Sequence, residues 1–315
     1  MPRIRPPSNA RDMFVSVRSH VRDVRRRFPF DAIIGAFAYP DAVVASRLAQ
    51  ELDCPFLAIV MGSDINDLAQ RPPLKEQICD ALRSARAVVA LSGALKNRLV
   101  ELGIPEDRVV VLRNSVNGRD FIIQDRVAAR RKLGIDPEGQ LACFIGNLVH
   151  EKGPDILLEA LAGLSARSKS LKVVFVGDGV MTPALQQKTK ELGLSHRVTF
   201  PGRCLPDRVP LWIAASDVVC LPSRREGCPN VVLEALACGR PVVACDVGGV
   251  PELLSARNGI MSAPEDSMAF GLALEKTLQG TWSETDLRQS APSLAWDDFG
   301  RSMNAILLKA MERKN

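Results

Sequence analysis

The chain is 315 residues long, 46% hydrophobic and 24% charged, enough for two α/β domains with cores of ordinary composition. No apolar run approaches the ~18 residues a bilayer span needs, and the start, Met1-Pro-Arg-Ile-Arg, lacks an apolar signal region, so the cytoplasm is the expected compartment. The net charge of +5 sits almost wholly in residues 1–27, where eight arginines face Asp12 and Asp23; no nucleic-acid module accompanies them.

Phe14, Val17, Val21 and Val24 recur at helical spacing, so residues 10–27 read as a basic amphipathic helix. Its apolar stripe covers a sheet, or its basic face rests on anionic lipid; both readings stand. Apolar runs at 32–37, 56–60, 87–91 and 109–112 then read as buried strands separated by helical segments, which implies a parallel sheet. The polar stretch 114–140, with a helical piece at 126–133, reads as the connection to a second βα series. Strands of that series are expected near 141–146, 172–177, 197–200, 217–221 and 241–245, and the tail 296–314 as an amphipathic helix. The predicted architecture is α/β with two Rossmann-like parallel-sheet domains: 1–133, 134–294, and a crossover helix at 295–315. Eight cysteines without a Cys-x-x-Cys pair argue against a zinc site or redox dithiol and for buried free thiols.

The run Ser223-Arg-Arg-Glu226-Gly227-Cys228-Pro229-Asn230-Val231-Val-Leu-Glu234 carries the chemistry. Asp217–Leu221 reads as a strand, Pro222–Cys228 as a turn, and Pro229 as the first residue of a helix stopped by Gly239. The backbone N–H groups of Gly227, Cys228 and Asn230 then face outward at a helix mouth that suits a phosphate. Glu226 before the helix and Glu234 one turn inside it are placed to accept from hydroxyls on either side, as a nucleoside diphosphate sugar offers. The bland reading gives Glu226 a dipole-complementing role and leaves Glu234 an ordinary helical glutamate.

This run resembles the E-x7-E signature of retaining glycosyltransferases of family 4, which have the two-domain GT-B fold. The resemblance extends to Phe144-Ile-Gly146-Asn147 with Lys152-Gly-Pro154, to Phe175-Val-Gly177-Asp-Gly179, to Val198–Arg203 and to Pro241–Glu252. In the first half Tyr39-Pro-Asp41, Gly62-Ser-Asp64 and Val111–Asn117 are similar to the family's N-domain. Family members open with a further strand and glycine-rich loop before a segment like Phe28–Ile34, so the N-domain is expected to be shortened.

The resemblance implies transfer of a sugar, with retention, from a nucleoside diphosphate sugar to a glycan or lipid-linked acceptor. Neither a metal nor another cofactor takes part; Lys152 and the helix mouth offset the leaving charge, since no Asp-x-Asp pair is present. Glu226 and Lys152 are the implied catalytic residues. Gly146, Asn147, Gly177, Gly179, Arg203, Gly227, Cys228, Pro229, Asn230, Val231 and Glu234 are the implied donor contacts, with a plain surface role the alternative for Arg203. Asn147 stands where the family generally carries arginine, and none of His20, His150 and His196 matches the family's N-domain histidine, which leaves Asp64 as the acceptor-side candidate.

Three other functions compete. A dinucleotide oxidoreductase needs a third glycine that Thr182-Pro183 does not supply. A nucleotide-sugar epimerase fits the fold but not the Gly-Cys-Pro-Asn loop. The third is a catalytically weak nucleotide-sugar-binding fragment or partner subunit, a consequence of the short N-domain.

Overall fold

The computed structural model describes residues 8–164, 170–291 and 295–312. Arg3 and Arg5 of the basic stretch, and Arg313 and Lys314 of the tail, lie outside the described residues. The chain divides into two compact units, Met1–Asn114 with Asp297–Asn315, and Ser115–Trp296.

The first unit opens with α1 (Asn9–Arg27), whose Met13, Phe14, Val17 and Val21 join the core while its arginines stay at the surface. The helix packs on α2 (Val43–Leu52) rather than on the sheet, with Arg18 and Arg22 both paired to Glu51 of α2. Four parallel strands follow in spatial order β1-β2-β3-β4: β1 (Ile33–Ala36), β2 (Phe56–Val60), β3 (Ala87–Ala90) and β4 (Val109–Val111). The connections include α3 (Ser63–Asn66), α4 (Pro72–Ser84) and α5 (Gly93–Glu101). Pro72 opens α4, where a missing N–H costs nothing, and the Ser92 hydroxyl caps α5 by accepting from Leu95 N–H at 3.2 Å.

The second unit begins earlier than the sequence suggests. The segment 115–133, expected with the first domain, groups with the second because α6 (Arg126–Leu133) is bolted there by Arg130. That guanidinium is 1% exposed and donates to the carbonyls of Ala215 (2.8 Å), Pro137 (2.8 Å) and Gly139 (2.9 Å) and to Asp217 Oδ2 (2.7 Å). A buried arginine with four acceptors fixes its helix to whatever supplies them.

Six parallel strands then run in spatial order β10-β9-β8-β5-β6-β7. They are β5 (Leu141–Ile145), β6 (Lys172–Val176), β7 (Val198–Gly202), β8 (Val218–Leu221), β9 (Val242–Cys245) and β10 (Gly259–Ser262). The edge strand β10 has only four residues and begins at a glycine, which hides it from pattern reading. The crossovers carry α7 (Pro154–Gly163), α8 (Thr182–Glu191), α9 (Val209–Ala215) and α10 (Asn230–Ala237), and α11 (Ser267–Gln279) and α12 (Glu284–Gln289) follow the last strand. The last helix, α13 (Trp296–Glu312), packs Ile306, Leu307 and Ala310 against Leu57 and Ala87 of the first unit.

The chain leaves β5 for β6 and β7 on one side, then returns to β8, β9 and β10 on the other. The loops after β5 and β8 therefore diverge at the sheet's switch point, where open α/β sheets leave a crevice beyond the strand carboxyl ends. Five of the eight cysteines, all free, are buried. No described helix is long and apolar enough to cross a membrane.

Candidate functional site

The loop after β5 carries a turn at His150–Lys152, and the loop after β8 runs from Pro222 to Pro229 into α10. Because β5 and β8 are hydrogen-bonded neighbours, residues remote in sequence meet here. Lys152 Nζ donates to Glu226 Oε1 at 2.7 Å and to Oε2 at 2.9 Å, and the buried Ser223 hydroxyl donates to Oε1 at 2.6 Å. The Glu226 side chain is 5% exposed and that of Lys152 is 35%, so a carboxylate floor carries an ammonium turned toward solvent. Both carboxylate oxygens have hydrogen-bond partners, which offsets the cost of burying Glu226 at that depth.

The glycines allow backbones to meet. A Cβ on Gly177 would lie 1.8 Å from the Gly146 carbonyl oxygen, and Gly177 has φ +151°, so the loops after β5 and β6 close only around glycine. Behind Glu226, a Cβ on Gly248 would come within 1.9 Å of the Glu226 carbonyl oxygen. Gly179 N–H donates to Asp178 Oδ1 at 2.8 Å; the Thr182 hydroxyl, then this N–H, hold the Asp178 carboxyl below its ordinary range. Asn147 and Arg203 are exposed at the rim of these loops.

Pro229 is the N-cap of α10 rather than its first helical residue, so the helix starts at Asn230. Gly227 is buried, and Cys228 and Val231 are partly buried. Glu234, one turn into α10, lines a cavity of about 260 Å³ with Ser115, Asn117, Asp120, Phe121 and Asn230. Burial pushes its carboxyl up to about 7. The facing turn is held by Arg288, which donates to the carbonyls of Gly118 (3.0 Å), Phe121 (2.6 Å) and Ala237.

Asp64 belongs to the other unit and has a structural task. It is 0% exposed and accepts backbone N–H bonds from Ala38 (2.8 Å), Gly62 (2.7 Å), Met61 (3.1 Å) and Ile65 (3.1 Å). Burial raises its carboxyl and these bonds lower it, with burial prevailing. The carboxylate proposed for the acceptor side thus takes backbone partners from its own loop and from Ala38. Sequence reading also missed the partners in the second unit: Ser223 beneath Glu226, and the 115–121 turn beside Glu234. The latter hid in a motif, Val111–Asn117, assigned whole to the first domain.

Solved structures share this architecture. HepE of Anabaena, solved with UDP and glucose, superposes with a TM-score of 0.81 at 22% identity, over 97% of this chain and 84% of that one. Sucrose-phosphate synthase of Thermosynechococcus elongatus gives 0.84 at 18% identity, over 98% and 80%. The fold is the GT-B fold of glycosyltransferases. In sequence, residues 139–280 match the family model described as "Glycosyl transferases group 1" and residues 1–118 that described as "Glycosyltransferase Family 4", so each unit carries glycosyltransferase sequence. The D-inositol 3-phosphate glycosyltransferase of Rhodococcus jostii is 43% identical over 213 residues, 64% of this chain and 47% of that protein. The chain spans about half the length of such curated relatives.

Proposed function

We propose that this chain carries the donor site of a retaining glycosyltransferase that moves a sugar from a nucleoside diphosphate sugar to a hydroxyl of a glycan or lipid-linked acceptor. The observation that carries the reading is the Lys152–Glu226 contact, formed at the sheet's switch point inside residues matched by a glycosyltransferase family model. Lys152 pairs with the diphosphate, Glu226 accepts from hydroxyls of the donor sugar, and Glu234 accepts from the ribose. The first turn of α10 adds the positive end of its dipole to the charge of Lys152, so the leaving group needs no divalent cation.

In the transfer the bond from sugar C1 to the phosphate oxygen breaks, and a bond from C1 to the acceptor oxygen forms on the same face. The freed phosphate oxygen takes the acceptor's proton. Contact with a membrane surface is a further part of the reading for a lipid-linked acceptor. It is supported by the exposed Arg11, Arg26 and Arg27 of α1. Calorimetry with UDP, GDP and ADP, followed by product analysis with the matching donor sugars, tests the proposal. Binding of none of the three overturns it, and binding without transfer leaves the second reading, a catalytically weak nucleotide-sugar-binding fragment or partner subunit.

A further inference from the structure

Lys152 and Glu226 hang from two loops, and one side chain joins those loops. Arg224 lies two residues before Glu226 and is directed away from it, toward the start of α7. Its Nη1 donates to Asp155 Oδ1 at 2.9 Å and its Nη2 to Asp155 Oδ2 at 2.8 Å, a parallel fork, and Nη1 also donates to the His150 carbonyl at 2.8 Å. The Arg224 backbone N–H donates to the Glu151 carbonyl at 2.9 Å. His150, Glu151 and Asp155 all lie within three residues of Lys152.

The side chains of Arg224 and Asp155 are 13% and 24% exposed, so water competes little for the fork. Burial alone would raise the Asp155 carboxyl; the hydrogen bonds and charge of Arg224 outweigh it and hold the carboxyl below its ordinary range. We infer that Arg224, acting through Asp155 and the His150–Glu151 backbone, is a positioning residue that sets the spacing of Lys152 and Glu226. The inference rests on the reading of that pair as the donor site. The guanidinium matters because its planar fork holds both carboxylate oxygens and the carbonyl in one fixed geometry, whereas a lysine ammonium is a point charge on a flexible stem with no such fork.

The test combines binding and structure. UDP, GDP and ADP affinities are measured by calorimetry for the wild-type chain, Arg224→Ala, Arg224→Lys, Asp155→Asn, Lys152→Ala and the Arg224→Ala/Lys152→Ala pair. Arg224→Ala and Arg224→Lys each weaken binding about tenfold, and the double variant binds within about twofold of Lys152→Ala alone, because both changes remove one geometry. Wild-type affinity in Arg224→Ala, or multiplying losses in the double variant, overturns the inference. Asp155→Asn, which keeps the volume and removes the charge, serves if Arg224→Ala fails to fold, and is expected to weaken binding in the same direction. A crystal structure of Arg224→Lys decides the matter even if no nucleotide binds the wild-type chain, a result that sinks the donor-site reading only. Lys152 Nζ displaced beyond hydrogen-bond distance of Glu226 supports the positioning role, and an unchanged contact removes it.

Discussion

Lys152 Nζ meets both carboxylate oxygens of Glu226, at 2.7 and 2.9 Å, across 74 positions of sequence. The contact makes the two side chains one unit, yet their proposed tasks differ. Lys152→Ala is expected to weaken nucleoside diphosphate binding by about 1.5 to 3 kcal/mol, the worth of a charge-assisted hydrogen bond. Glu226→Gln, which keeps shape and the Ser223 hydroxyl contact, is expected to reduce transfer more than nucleotide affinity. Calorimetry and initial rates on the same two variants check this; equal losses in both measurements contradict the assignment.

Lys152 and Glu226 were each singled out by the family resemblance of their motifs, in loops that follow recognisable buried strands; their direct contact and its setting were not legible. Ser223 and Arg224 lie in the same run, but the partner of Arg224, Asp155, is chosen by which strand neighbours β5, and strand order is not written in local pattern. The 115–121 turn failed for another reason: nothing local distinguishes a polar connection from a wall beside Glu234, and the turn is held to the second unit by Arg288, reaching from α12, and by the packing of Val116 and Phe121. Asp64 became the acceptor-side candidate because no histidine matched the family's position; its burial and its four backbone N–H partners were not visible in the sequence.

Arg130 gives a stability prediction. Removing one member of a buried ion pair typically costs about 3 to 5 kcal/mol, because the other charge and the carbonyl acceptors stay buried without it. Arg130→Ala is therefore expected to destabilise the second unit by that order in denaturant unfolding. A fragment beginning at residue 134 suffers the same loss and one beginning at 115 does not. Equal stability of the two fragments contradicts the anchoring role of α6.

Gly248→Ala tests the loop behind Glu226 without touching any side chain of the site. The added methyl meets the Glu226 carbonyl oxygen at 1.9 Å, and Gly248 has φ +54°, so the backbone at Glu226 must move. Transfer or donor hydrolysis is expected to fall at least tenfold, with a lowered Tm. Unchanged activity would mean that the position of Glu226 is not set from behind.

If the charge of Lys152 and the first turn of α10 offset the leaving diphosphate, transfer proceeds in EDTA at its ordinary rate. Strict dependence on added Mg²⁺ or Mn²⁺ overturns that part of the mechanism while leaving the Lys152 contact intact.

Glu234 predicts a pH dependence whose sign runs opposite to that of a salt-bridged carboxylate. Its folded-state carboxyl is pushed up to about 7 by burial, from an ordinary value of 4.5. The folded chain therefore holds a proton that the unfolded chain releases, and stability from this group is fully present below about pH 4.5 and lost as pH rises through 7. The loss is on the order of 2 to 3 kcal/mol by pH 8. Ribose hydroxyls donate best to the ionised carboxylate, so nucleotide affinity is expected to rise over the interval in which this contribution to stability falls. Glu234→Gln removes the ionisation: denaturant midpoints at pH 6 and pH 8 draw together, and nucleotide affinity loses its rise across pH 7. Wild-type pH profiles retained in that variant would show that another group titrates there and that Glu234 does not face the ribose.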